Sequence, residues 1–124
     1  MGYTRYWERT EKPITQEFID EVRRIFEDCK ERGITICDWD GNGTPTITMD
    51  QIAFNGNREI GADHESCNFS NNNTGFDFCK TARKPYDYAV RRVLIAAETL
   101  GIVTDVSDDG NCDEITDEEW QKGW

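Results

Sequence analysis

The 124-residue chain has no apolar run approaching the length of a membrane span, and its start, Met1-Gly2-Tyr3-Thr4-Arg5, has no secretory h-region. A soluble, cytoplasmic protein is therefore expected. Positive charge is also scarce: fourteen Lys and Arg against twenty-five Asp and Glu leave a net charge of −11. Broad binding to nucleic acid or to an anionic membrane needs a positive footprint, so neither direct nucleic-acid contact nor membrane association is expected. There is one histidine, no recognised catalytic motif, no internal repeat and no low-complexity linker. The five cysteines (Cys29, Cys37, Cys67, Cys79, Cys112) are an odd number at irregular spacings, and without an export signal they read as free thiols.

What is present describes one globular unit. The length suits one domain, and 36% apolar residues, 31% charged residues and fourteen aromatics (four Trp, four Tyr, six Phe) argue against disorder. Residues 3–8 read as a strand. Thr15 can cap a helix whose buried face is Ile14, Phe18, Ile19, Val22, Ile25, Phe26 and Cys29, with Gly33 ending it. Strands follow at 34–37, 46–49 and 52–54, with a tight turn at Asp40-Gly41-Asn42-Gly43. Residues 55–75 hold six asparagines and read as a long loop with a short strand at 67–69. Phe76 and Phe78 lie on one face of a further strand. Pro85 suits the first position of a second helix, whose core face is Tyr86, Ala89, Val90, Val93, Leu94, Ala97 and Leu100, widened by Ile95 and Ala96. Gly101 ends it before a last strand at 102–106. Residues 105–119 carry eight acids and no base and read as a solvated tail or loop, within an acidic segment at 105–124 that holds Trp120 and Trp124. The order implies one α+β domain over 1–124, mainly an antiparallel sheet with two long helices on one face.

The chemistry concentrates at 80–92, where five bases meet a single acid. Lys80, Arg83 and Lys84 precede a helix start, where unpaired N–H groups and the dipole favour an anion. The Thr81 hydroxyl can add a hydrogen bond, and Tyr86 or Tyr88 a ring for stacking on a base. These are parts for holding a phosphate, a nucleotide or a carboxylate; the plain alternative is surface ion pairing with the acidic surplus. Asn55, the lone His64 and its neighbour Glu65 can read a base or ribose. Other readings are thinner. His64, Cys67, Cys79 and Cys112 lack the paired spacing of a zinc site, so no metal is assigned. A Cys79–His64 nucleophile pair has no accompanying oxyanion motif. Asp38-Trp39-Asp40-Gly41-Asn42-Gly43 opens like a calcium loop but has Met49 where a bidentate Glu is needed. The similar Asp105–Gly110 stretch has Thr116 there, so both read as turns.

Gly2-Tyr3-Thr4-Arg5-Tyr6-Trp7, Ile52-Ala53-Phe54-Asn55-Gly56, His64-Glu65 and the run Phe78-Cys79-Lys80-Thr81-Ala82-Arg83-Lys84-Pro85-Tyr86-Asp87 belong together. Over most of the chain they resemble a group of small uncharacterised proteins carried by bacteriophages and mobile regions of bacterial genomes. Arg5 stands where that group's form has histidine. The resemblance implies a setting, an accessory phage protein acting in the host cytoplasm against host immunity. With the residues above, it leads to one expectation: a non-enzymatic, homo-oligomeric protein, without cofactor, that sequesters a small nucleotide-type ligand. Asn55, His64 and Glu65 would read its base or ribose, Lys80, Thr81, Arg83 and Lys84 would hold phosphate, and Tyr86 would supply a ring. The alternatives are an acidic protein-binding inhibitor or nucleic-acid mimic acting on a host defence protein, and a nucleotide-processing enzyme using Cys79 or His64.

Overall fold

The computed structural model describes residues 3–109. The element order is β1 (Thr4–Arg9), α1 (Gln16–Glu31), β2 (Thr46–Ile47), β3 (Gln51–Phe54), a short 3-10 turn (Arg58–Ile60), β4 (Cys67–Ser70), β5 (Gly75–Lys80), α2 (Asp87–Thr99) and β6 (Val103–Asp108). The α+β class is as expected, and every strand pair is antiparallel. The sheet is divided, however, into two three-stranded sheets, β5-β1-β6 and β2-β3-β4. Pairing of β1 with the distant β5 and β6 is a long-range choice on which strand periodicity is silent.

Both helices end by the same device. The Thr15 hydroxyl accepts from the Phe18 N–H at 3.2 Å to start α1. At its end Gly33 adopts φ +79°, and the Ile34 N–H reaches back to the Cys29 carbonyl at 2.8 Å. Gly101, at φ +78°, repeats this after α2, with the Ile102 N–H on the Ala97 carbonyl at 2.8 Å. In each case a left-handed glycine lets the chain fold back over the last turn. This explains why the strand expected over 34–37 is not formed. Ile34 is drawn onto the end of α1, and only Cys37 pairs, in an isolated bridge with Asn55.

Three further expectations are corrected. Pro85 is not the first residue of α2; it lies in a turn closed by Lys84 N–H to Thr81 O and Asp87 N–H to Lys84 O, so the helix starts at Asp87. Ile95 does not widen the buried stripe, since it is 47% exposed. Residues 105–108 continue β6 instead of joining a solvated loop. Cys112, Trp120 and Trp124 lie outside the described residues.

One core joins the elements. Trp7 of β1 meets Phe69 of β4 at 5.4 Å between ring centroids, Phe18 of α1 sits edge-on to Phe69 at 5.9 Å, and Phe26 of α1 meets Phe54 of β3 at 4.9 Å. Val90, Val93, Leu94 and Ala97 of α2 complete it. Among the described residues no helix is long and apolar enough to cross a membrane.

Candidate functional site

The expected site residues divide into an interior group and a surface group. Asn55, Thr81 and Tyr86 are buried. The Asn55 amide donates to the Trp39 and His64 carbonyls at 3.0 and 2.8 Å, and its oxygen accepts from the Gly56 and His64 N–H groups at 2.7 and 3.0 Å. All its hydrogen-bonding capacity goes into closing the loop. Beside it, a Cβ on Gly56 would stand 2.0 Å from the Ala62 carbonyl oxygen, so only glycine lets the two backbones approach. The Tyr86 hydroxyl donates to the Glu65 carbonyl, and the Cys79 thiol donates to the same oxygen at 3.3 Å. Tyr86 thus anchors the loop instead of offering a ring face, and burial raises its phenol far above the ordinary value. Tyr88 is buried as well, its hydroxyl donating to Asp28 at 2.9 Å.

His64, Glu65, Lys80, Arg83 and Lys84 are at the surface, the last two half-buried. The Glu65 N–H donates to the Lys80 carbonyl at 3.1 Å, and the Lys80 N–H donates to the Glu65 carboxylate at 2.9 Å. This double tie fastens the loop histidine's segment to the outer end of β5, where the base cluster begins. The turn that follows is strained: Ala82 and Arg83 both take left-handed backbone, at φ 52° and 56°. The Tyr3 carbonyl holds it there by accepting from the Thr81 and Ala82 N–H groups at 2.9 and 3.2 Å. The Arg83 guanidinium lies 4.5 Å from the centroid of the Tyr3 ring and that of Arg5 5.2 Å from it. Non-glycine residues in this conformation concentrate at functional sites, where the surrounding structure enforces them.

Beneath the turn is a network that reading the sequence missed. Arg5 grips Asp87 with two bonds, Nε to Oδ1 at 2.7 Å and Nη2 to Oδ2 at 2.8 Å, and its Nη1 reaches Asp108 at 3.2 Å. The Thr81 hydroxyl donates to Asp87 Oδ1 at 2.7 Å. Thr81 is therefore part of the foundation, and the first turn of α2 already holds a carboxylate. The available signal was that Asp87 is the single acid among the five bases at 80–92. Tyr3 adjoins this network, and burial pushes its phenol up to about 12, with Arg5 working in the opposite direction.

No group of three or more His, Cys, Asp or Glu among the described residues is arranged to hold a metal ion. The carboxylate of Asp38 accepts from Trp39 N–H and the Thr46 hydroxyl, both at 2.8 Å, which makes the 38–43 segment a self-bonded turn. An open groove of about 700 Å³ lies elsewhere, between α1 and β2, lined by Arg23, Phe26, Lys30, Ile34, Ile36 and Ile47 among others; it includes none of the expected site residues. Comparison with known families, curated proteins and solved structures found no match.

Proposed function

We propose that the chain is a non-enzymatic binder of a small phosphate-bearing, nucleotide-type ligand, held where the 64–65 segment meets the end of β5. The observation that supports this is the Glu65–Lys80 double tie, which fastens the backbone next to His64 to the strand end that leads into Lys80, Arg83 and Lys84, in a chain that is otherwise strongly acidic. In such a field a local positive rim selects a compact anion over an extended one. Lys80 and Lys84 supply point charges and Arg83 a planar fork. Asn55, Thr81 and Tyr86 support the rim from within, so their contribution is positional. In the phage setting that the sequence suggests, capture of a nucleotide immune signal without turnover is the activity such a rim would serve, and a second copy of the chain would enclose the ligand.

Isothermal calorimetry of wild type against Lys80→Ala/Arg83→Ala, with a panel of nucleotides at fixed salt, tests the proposal. Binding to wild type that weakens at least tenfold in the folded double variant is the expected result. Equal binding by both proteins removes the rim from the site.

The acidic-inhibitor reading keeps one observation in its favour. Arg9 is buried with its guanidinium on backbone carbonyls, while buried Arg5 is matched by buried Asp87, so one base is withdrawn from the acidic surface without an acid to balance it. That reading requires a complex with a host protein that weakens steeply with salt and is indifferent to the Lys80/Arg83 change.

A further inference from the structure

We infer that a ladder of rings on the outer face of the β5-β1-β6 sheet is the stacking surface for the planar base of that ligand, an inference that rests on the reading above. The antiparallel register sets Tyr6 opposite Phe78 and Glu8 opposite Phe76. Tyr6 and Phe76 stack with centroids 6.1 Å apart and planes 24° from parallel, and Phe76 and Phe78 follow at 6.1 Å and 34°. Phe76 is 64% exposed and Phe78 41%, although neighbouring core positions bury their rings completely. The ladder ends on a cation, with Lys80 Nζ 5.9 Å from the Phe78 centroid. Rings and positive rim are therefore one continuous surface, and the rings Tyr86 and Tyr88 were expected to supply are replaced by exposed ones two residues apart on β5.

Three other occupants suit the face less well. A second copy held by this face alone, without ligand, needs about 800 Å² from each partner. Three strands of six residues present only about 300 Å² of flat face, from a rise of about 3.3 Å per residue and a spacing of about 4.8 Å. Strand addition at the edge of β5 is opposed at two of its outward donors, the Phe78 N–H being taken by Asp77 at 2.8 Å and the Lys80 N–H by Glu65 at 2.9 Å. A polynucleotide would have to carry phosphates past Glu8 and past Asp109, which accepts from the Tyr6 hydroxyl at 2.8 Å. A single base over Phe76 and Phe78 meets the rings and brings one phosphate to the Lys80 end, four residues along β5 from the position opposite Glu8.

The test compares purine and pyrimidine mononucleotides with ribose 5-phosphate, by calorimetry on wild type, Phe76→Ser/Phe78→Ser and Lys80→Ala/Arg83→Ala. Circular dichroism checks folding, and Phe76→Leu/Phe78→Leu, which keeps apolar bulk without ring faces, serves if the serine variant does not fold. The expected result is a loss of at least tenfold in nucleotide affinity on removing the rings, with ribose 5-phosphate affinity unchanged. Nucleotide binding that survives loss of the rings but not of Lys80 and Arg83 overturns the ladder and leaves the rim standing. Failure of wild type to bind either probe overturns the rim, and the ladder assignment with it. A wild-type dimer that the ring variant dissolves, with no dependence on the base, gives the face to a second copy instead.

Discussion

At the scale of single residues, the side chains that shape the rim are mostly those that cannot touch a ligand. The Arg5–Asp87 pair is buried, and breaking one side of such a pair strands a charge. Asp87→Asn is expected to lower unfolding free energy by roughly 3–5 kcal/mol, whereas Arg5→Met together with Asp87→Leu costs much less. Denaturant titration of the single and double variants measures the difference. Asn55→Ala is expected to cost roughly 2–3 kcal/mol, because several buried backbone groups lose their partner at once. It should release the His64 segment without altering the core. Tyr3 gives a pH signature. Its folded value of about 12 exceeds the ordinary 10.0, so its contribution is intact below pH 10 and is lost as pH rises toward 12. Tyr86, raised by burial in the same direction, adds to that alkaline loss. Tyr3→Phe should make the stability curve flatter between pH 10 and 12, as followed by thermal melts across that range.

Among elements, legibility tracked how local the cause is. Helix α1 was readable from Thr15 to Gly33 because cap, stripe and terminating glycine all lie within one stretch of sequence. Gly33 has open space where a Cβ would go, so Gly33→Ala costs only the left-handed conformation, about 1 kcal/mol by melting. Gly56→Ala should cost several times more, because there a Cβ meets the Ala62 carbonyl. The strand expected over 34–37 read as apolar alternation, but Ile34 is claimed by the fold-back at the end of α1. The division into two sheets was not legible, since β1 draws its partners from the far half of the chain. The asparagine-rich loop reads from sequence as long, polar and functional, with Asn55, His64 and Glu65 toward a base or ribose. Asn55 and Asn71 in fact spend their amides on the protein itself, Asn71 accepting from Ile14 N–H at 2.9 Å and donating to the Met49 carbonyl at 2.8 Å. Tyr86 and Thr81 looked like site residues from their neighbours in sequence; their burial depends on Arg5 and Glu65, which are far from them along the chain.

Taken as a whole, the described residues place the hydrophobic core and four thiols inside, and the bases Lys80, Arg83 and Lys84 at the end of an aromatic strand face. Cys29, Cys37, Cys67 and Cys79 are buried, and burial raises the thiols of Cys29, Cys37 and Cys67. A thiol held protonated is a poor nucleophile. Brief iodoacetamide treatment of native protein, mapped by peptide mass spectrometry, should leave these four unlabelled; rapid labelling of Cys79 would return attention to the enzyme reading.

The central claim is that the 64–65 segment, the end of β5 and the 80–84 turn form one ligand rim, and a ¹⁵N-NMR titration with a mononucleotide tests it most directly. The expected result is a saturable set of amide shifts confined to about residues 63–66 and 76–84, absent in Lys80→Ala/Arg83→Ala. Shifts gathered instead around Phe26, Ile34 and Ile47 would place the ligand in the groove beside α1, and no shifts at millimolar nucleotide would contradict the rim altogether.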